Sequence, residues 1–200
     1  PNTTSSASIS QWRAVNEVVL ASPAKINLFL EIMSRRPDGF HEIASIMQLI
    51  DLCDEVHLRR RREGIRLQVS GADLPEGRGN LAYRAAAAAL ETAGLAEGVE
   101  IRLVKRIPVA GGLGGGSSNA ATVLLGLDRL WRLGLGPDGL HKLARRLGAD
   151  VPYFLLGGTA LGLARGDEVY PLRRQLRAHV VLVDPGIHVS TARVFSLPAA

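Results

Sequence analysis

The 200-residue sequence predicts an α+β fold, with strands in a run and helices between only some of them. Three observations carry that prediction. Extended patterns crowd the region from Glu17 to Ser70, separated by turn signals. Two helical patterns follow, one rich in alanine and one behind a loop dense in glycine. Strands return after Gly157-Gly158, and the steady strand–helix alternation of a doubly wound sheet never develops. The length suits one domain or one and a half, with enough chain to bury a real core. No internal repeat is present.

The elements follow in order. Glu17 to Ile32 reads as extended, with a break expected at Ser22-Pro23. Pro37-Asp38-Gly39 is a strong turn signal. His41 to Leu52 and Glu55 to Arg60 read as two further strands, and Ile65 to Ser70 alternates apolar and polar as a half-buried strand does. Asn80 to Thr92 is a helix whose alanines 85 to 89 suit close packing, ended by Gly94. Val99 to Val104 is a strand with Ile101 and Leu103 on one face. A helix to about Leu133 and a shorter one from Leu140 to Leu147, closed by Gly148, come next. Thr159 to Ala164, Glu168 to Leu172 and His179 to Asp184 complete the strands.

The stretch between Val104 and the second helical pattern holds the most information. Five of the six residues from Gly111 to Gly116 are glycine, so backbone N–H groups can approach a ligand with no Cβ in the way. Apolar residues at helical spacing begin directly afterwards (Ala120, Val123, Leu124, Leu127), and Ser117, Ser118 and Asn119 are good N-cap residues. A glycine loop opening onto a helix N-terminus favours an anion such as phosphate. A Walker A loop would need Lys where Ser117 stands, and neither the dinucleotide nor the protein-kinase glycine pattern registers.

Composition narrows the rest. The net charge is +5, from 24 basic and 19 acidic residues, and only Lys25, Lys105 and Lys142 are lysines. A basic balance permits nucleic acid, a membrane surface or a polyanionic small molecule. The run Arg59-Arg60-Arg61-Arg62 has no interleaved aromatic and reads as a solvated strand end. Cys53 is the only cysteine, which suits a reducing cytoplasm, and no C-x-x-C or H-E-x-x-H pair points to zinc. Residues 1–16 read as a polar, disordered leader, and Val18 to Ala21 is too short for a signal-peptide core. A soluble cytoplasmic protein without a membrane partner is the expectation.

The pattern Pro-x-x-x-Gly-Leu-Gly-x-x-Ser-Ser resembles the phosphate loop of the GHMP kinase superfamily. Three further segments are similar to one branch of it: Pro23-Ala24-Lys25-Ile26-Asn27-Leu28, Arg36-Pro37-Asp38-Gly39-Phe40-His41-Glu42 and Gly148-Ala149-Asp150-Val151-Pro152-Tyr153-Phe154. They fall in the family's order across almost the whole chain. The resemblance implies a GHMP N-terminal domain over 17–164 (a ribosomal protein S5 domain 2-like fold) and the start of a GHMP C-terminal α+β domain over 165–200. It implies transfer of the ATP γ-phosphoryl group, with Mg²⁺, to the 2-hydroxyl of a cytidine-diphosphate-linked methylerythritol in non-mevalonate isoprenoid synthesis.

By the same resemblance, Asp150 is the base for the acceptor hydroxyl and Lys25 steadies charge on the attacking oxygen. Pro108, Ala110, Gly111, Gly112, Leu113, Gly114, Gly115 and Gly116 wrap the ATP phosphates, Ser117 or Ser118 reaches phosphate or Mg²⁺, and Asn80 lies near the adenine, although it is also a plain N-cap. Asn27 meets the methylerythritol end. Phe40 and His41 form one wall of a cytosine pocket, and Phe195, after Thr191, forms the other; a stacked base is worth about 1–3 kcal/mol. Phe40 stands where family members often carry Tyr, which keeps stacking and loses a hydroxyl contact. The family's third glycine motif is not found after Gly186, so the 200 residues are expected to be a fragment with impaired turnover. The rival readings are another GHMP small-molecule kinase, of homoserine or mevalonate type, and an RNA-binding module of related fold. No nucleic-acid partner is expected on the preferred reading, and the oligomeric state is left open.

Overall fold

The computed structural model describes residues 16–173, 176–184 and 186. A mixed six-stranded sheet is covered on one face by helices. Its frame is a long hairpin, β1 (Glu17–Arg35) and β2 (His41–Arg61), paired antiparallel from Glu17↔Arg59 to Arg35↔His41. The hairpin turns at Gly39 (φ 85°), where the Phe40 N–H donates to Asp38 Oδ1 at 3.1 Å. The other edge of β2 serves two partners. Its C-terminal half pairs with β4 (Gly98–Val104), and residues 45–48 pair with β5 (Thr159–Leu163). β3 (Ile65–Ser70) lies parallel to β4, and β6 (Glu168–Pro171) antiparallel to β5. Because β6 hydrogen-bonds to β5, this sheet continues past residue 164, where the sequence suggests a domain boundary.

Two strands expected over 41–52 and 55–60 are therefore one. The break expected at Ser22-Pro23 is a bulge inside a continuous β1: Pro23 pairs with Cys53, but Lys25 pairs with Leu49. Proline brings no N–H to the ladder, which makes it a natural place for pairing to slip. The slip buries both Ala24 and Lys25, which an unbroken alternation would place on opposite faces.

Helix α1 (Leu81–Thr92) buries Ala82, Ala85, Ala86 and Ala89 completely, and small side chains let it pack tightly on α2 (Gly115–Trp131). Helix α2 crosses the sheet at Gly126, where a Cβ would lie 2.3 Å from Leu58 Cδ1. Between helices and sheet sit Val56, Leu58, Ile101, Leu103, Val123, Leu124 and Leu127, all with no exposed surface. Helix α3 (Gly136–Leu147) starts one turn earlier than its apolar pattern suggests, because Pro137 fits a first helical turn. Helix α4 (Val151–Leu156) has six residues and was not legible from periodicity, which needs a longer window.

The strand expected at His179 to Asp184 does not form: those residues have no regular structure. The nearby chain is held by a side chain rather than a ladder. Gln48 donates through Nε2 to the Leu176 carbonyl at 2.7 Å and accepts its N–H through Oε1 at 3.1 Å. No helix among the described residues is long and apolar enough to cross a membrane.

Candidate active site

The glycine loop leaves β4 at Val104 and enters α2 at Gly115. Ala110, Gly112 and Gly114 take positive φ (61°, 72° and 70°), which coils the loop back over the helix start. The first bond of α2 runs from the Ser118 N–H to the Gly114 carbonyl at 2.9 Å, so the N–H groups of Gly115, Gly116 and Ser117 have no partner inside the helix. No acidic side chain lies in that first turn to compete for an anion. Gly111, Gly112 and Gly116 are exposed, leaving the concavity open.

Ser117, Ser118 and Asn119 are not the N-cap. Gly114 is, in a left-handed conformation and with no side-chain cap. The helix starts earlier, and the three polar residues fall within its opening turns. Ser118 is fully buried with its Oγ 2.8 Å from Ser22 Oγ, and Asn119 is buried beside it. Ser117, half-buried, is thus the hydroxyl left open to a ligand.

Lys25 and Asp150 come together at this loop. The Lys25 N–H donates to the Leu113 carbonyl at 2.9 Å, tying β1 to the loop. Gly114 permits that approach: a Cβ there would lie 2.7 Å from Phe154 Cζ and 3.1 Å from Lys25 Cγ. The Lys25 Nζ reaches Asp150 Oδ2 at 3.8 Å and donates to Asn27 Oδ1 at 2.9 Å. Asn27 Oδ1 also faces the Ser45 hydroxyl at 3.4 Å, so the amide holds the ammonium in place. Asp150 occupies the N-cap position of α4, yet its side chain makes no capping bond and is 39% exposed. That leaves the carboxylate free for a ligand.

The acceptor-side residues lie further along the hairpin. Phe40, at its tip, is 51% exposed, and the Arg165 guanidinium sits 5.0 Å over its ring. His41 follows in β2 and is half-buried. Gly166 links this tip to the acid, since a Cβ there would meet Ile43 Cδ1 at 3.4 Å and Asp150 Oδ1 at 3.9 Å. Three residues, about 10 Å at strand rise, separate Ile43 from Phe40. Thr191 and Phe195 lie outside the described residues. On the nucleotide side, Asn80 caps α1: Oδ1 accepts from the Ala82 N–H at 3.0 Å and Nδ2 donates to the Pro75 carbonyl at 3.0 Å. Its neighbour Leu81 abuts Gly116, so the cap stands next to the loop. Pro108 and Ala110 lie in the loop's approach.

Sequence reasoning missed two groups. One is a buried set, Ser22, Asp54, Lys105 and Asn119, under the loop. The other is Asp167, 1% exposed, which accepts from Arg145 Nε at 3.0 Å and from Arg165 Nη2 at 2.9 Å. Burial pushes the Asp167 carboxyl up, but those two guanidinium hydrogen bonds outweigh it and hold the acid below its usual range. Asp54 gave no local sign of the first group, because it falls between the strands expected over 41–52 and 55–60, with Asp51 and Glu55 close by.

Residues 80–158 match the family described as GHMP kinases N terminal domain. Over those residues the chain is similar to the N-terminal domain of the GHMP kinases. Within that class its similarity is to the 4-diphosphocytidyl-2-C-methyl-D-erythritol kinases. It is 46% identical over 182 residues to the one from Geobacter sp. (strain M21), covering 90% of this chain and 65% of the relative. It is 49% identical over 173 residues to the one from Pelotomaculum thermopropionicum, covering 86% and 60%. A crystal structure of 4-(cytidine 5'-diphospho)-2C-methyl-D-erythritol kinase superposes with a TM-score of 0.69 at 45% identity, over 78% of this chain and 55% of that one. The chain thus spans less than two thirds of these relatives' length.

Proposed function

We propose that the chain belongs to an ATP-dependent kinase that phosphorylates the 2-hydroxyl of 4-diphosphocytidyl-2-C-methyl-D-erythritol. The observation that carries the reading is the meeting of Lys25 and Asp150, 3.8 Å apart, at the root of the glycine loop. Phosphoryl transfer asks for positioning and charge stabilisation more than for covalent chemistry. Gly115, Gly116 and Ser117 offer free N–H groups at a helix N-terminus to the nucleotide phosphates. Asp150 accepts the proton of an acceptor hydroxyl, and the Lys25 ammonium, oriented by Asn27, steadies the negative charge that develops on that oxygen. Phe40 and His41 hold the cytosine end, Asn27 the methylerythritol end, and Thr191 and Phe195 complete the base pocket.

Among the described residues no three His, Cys, Asp or Glu side chains cluster as metal ligands. Mg²⁺ fits as an ion carried in on the phosphates, with the Ser117 hydroxyl as the chain's contribution; when bound it neutralises phosphate charge. Asn80 borders the adenine side. Residues 165–200 lead into a C-terminal domain, and the protein works in the cytoplasm.

Replacing Asp150 by Asn tests the assignment. ATP-dependent phosphorylation of the cytidine-diphosphate-linked acceptor should fall by about 10²–10⁴-fold with the melting temperature unchanged. Near-normal turnover by the folded variant would remove Asp150 as base. The 200 residues alone should turn over more slowly than a chain of the relatives' full length.

A further inference from the structure

The Lys105 ammonium donates to Asp54 Oδ2 and, at 3.0 Å, to Asn119 Oδ1. Both charged side chains are closed to solvent, with 3% and 0% exposed. The other Asp54 oxygen, Oδ1, accepts the N–H groups of Arg106 at 2.7 Å and Ile107 at 2.9 Å, the residues with which the glycine loop begins. Asn119 donates through Nδ2 to Asp54 Oδ2 at 2.9 Å and to Ser22 Oγ at 3.0 Å. Ser22 in turn lies against Ser118.

One buried polar network thus joins three pieces of the site: the loop entrance, the opening turns of α2, and the stretch of β1 that carries Lys25. The ammonium also sits directly under the helix start, 3.2 Å from where a Cβ on Gly115 would be. The backbone bond from Lys25 to the Leu113 carbonyl ties β1 to the far end of the loop, and the buried network ties it to the near end. Six glycine-loop residues with little side-chain contact of their own need such a root, since glycine is the residue that most readily leaves a set conformation.

We propose that Lys105 and Asp54 are positioning residues for the phosphate loop. Neither faces the ligand. Together they set the loop entrance and the helix start at a fixed height relative to Lys25, so that the free N–H groups converge before a nucleotide arrives. Buried hydrogen-bonded networks of this kind rigidify what they connect. The proposal rests on the nucleotide-binding reading of the loop and adds to it the groups that hold the loop in shape.

The test uses the 200-residue chain with Lys105→Met, Asp54→Asn and the two combined. The combined variant removes both charges, yet the amide oxygen at position 54 still accepts the two loop N–H groups. The first readout is the affinity for ATP relative to AMP, because a loop that grips phosphates favours the triphosphate. Each single substitution should cut that preference at least tenfold, and the combined variant should recover it to within about threefold of wild type. Folded single variants that keep the wild-type preference, or that lose ATP and AMP in equal proportion, would overturn the proposal. The second readout needs no nucleotide: amide hydrogen exchange over residues 106–119. It should rise at least tenfold in the single variants, with α3 unchanged. Exchange that rises uniformly along the chain, or nowhere, refutes the proposal. Should neither nucleotide bind wild type, the nucleotide reading fails by itself, and exchange still decides whether the pair holds the loop.

Discussion

Two lysine–aspartate pairs flank the same glycine loop, and they are built in opposite ways. Lys105 and Asp54 are sealed, and all four hydrogen bonds to the Asp54 carboxylate come from inside the protein. Lys25 and Asp150 stand 3.8 Å apart, too far for a direct hydrogen bond, and the carboxylate is 39% exposed. A buried carboxylate with four hydrogen bonds already made has nothing left to offer a substrate. An open pair with an unspent carboxylate has. The contrast teaches that identical residue types acquire structural or chemical roles from how completely their neighbours satisfy them.

The comparison breaks most cleanly on the two lysines. Lys25→Met should lower turnover by about 10²–10³-fold, the usual consequence of losing one group that stabilises a developing oxyanion. Its thermal midpoint should move by no more than about 2 °C, because Asp150 is left facing water rather than buried. A large drop in stability with little change in rate would reverse the roles assigned here.

Lys105→Met should do the reverse. It strands the Asp54 carboxylate in the interior, and breaking a buried pair in this way costs about 3–5 kcal/mol. Urea unfolding monitored by far-ultraviolet circular dichroism reads that loss directly. Combining it with Asp54→Asn should recover much of the stability, since no uncompensated charge is left. A combined variant as unstable as the sum of the single ones would mean that the pair acts through separate contacts.

Gly114→Ala probes the point where the open pair touches the loop. The residue has φ 70°, and a Cβ would press on the Phe154 ring at 2.7 Å. The left-handed conformation alone costs about 1–2 kcal/mol for a side-chain-bearing residue. Phe154 follows Asp150 in α4, so relief of the clash moves the acid. Expected are a modest loss of stability and a larger loss of turnover, compared by melting and by steady-state assay of the same preparation.

How much of this was legible beforehand follows from whether the signal was local. The loop and helix α2 were readable because glycine density and helical spacing lie within one short stretch. Lys25, Asn27 and Asp150 could be singled out as candidates only through their flanking motifs, since a lone Lys or Asp is ordinarily solvated. The Asp54–Lys105 pair has no such flank: its partners are fifty-one residues apart and meet through the β2–β4 register. Ser118 and Asn119 suited an N-cap by type, but the left-handed backbone at Gly114 started the helix earlier and turned them inward. His179 to Asp184 carries a strand-like run, yet a strand exists only where a neighbour offers a ladder, and among the described residues none pairs with it: Val181 and Val183 are 86% and 84% exposed.

Asp167 lies between the two extremes and gives the smallest predicted effect. It is buried like Asp54, but its Oδ1 has no hydrogen-bond partner among the described residues, whereas Oδ2 takes Arg145 and Arg165. Burial opposes its charge; the two guanidinium hydrogen bonds and the nearby positive charges prevail and hold its titration below the ordinary carboxylate range. A group lowered on folding stabilises the fold above its unfolded pKa, near 3.9, and loses that contribution as pH falls through its folded value. Asp167→Asn should therefore be less stable than wild type at pH 7, with the gap closing progressively below about pH 4. Because Arg165 also lies over Phe40, the same variant should weaken cytidine binding at pH 7 by a few-fold if the stacked guanidinium steadies that ring. Chemical denaturation of both proteins across pH 3–7 measures the first effect. A gap that widens on acidification would show that the two arginines do not hold Asp167 in its charged form.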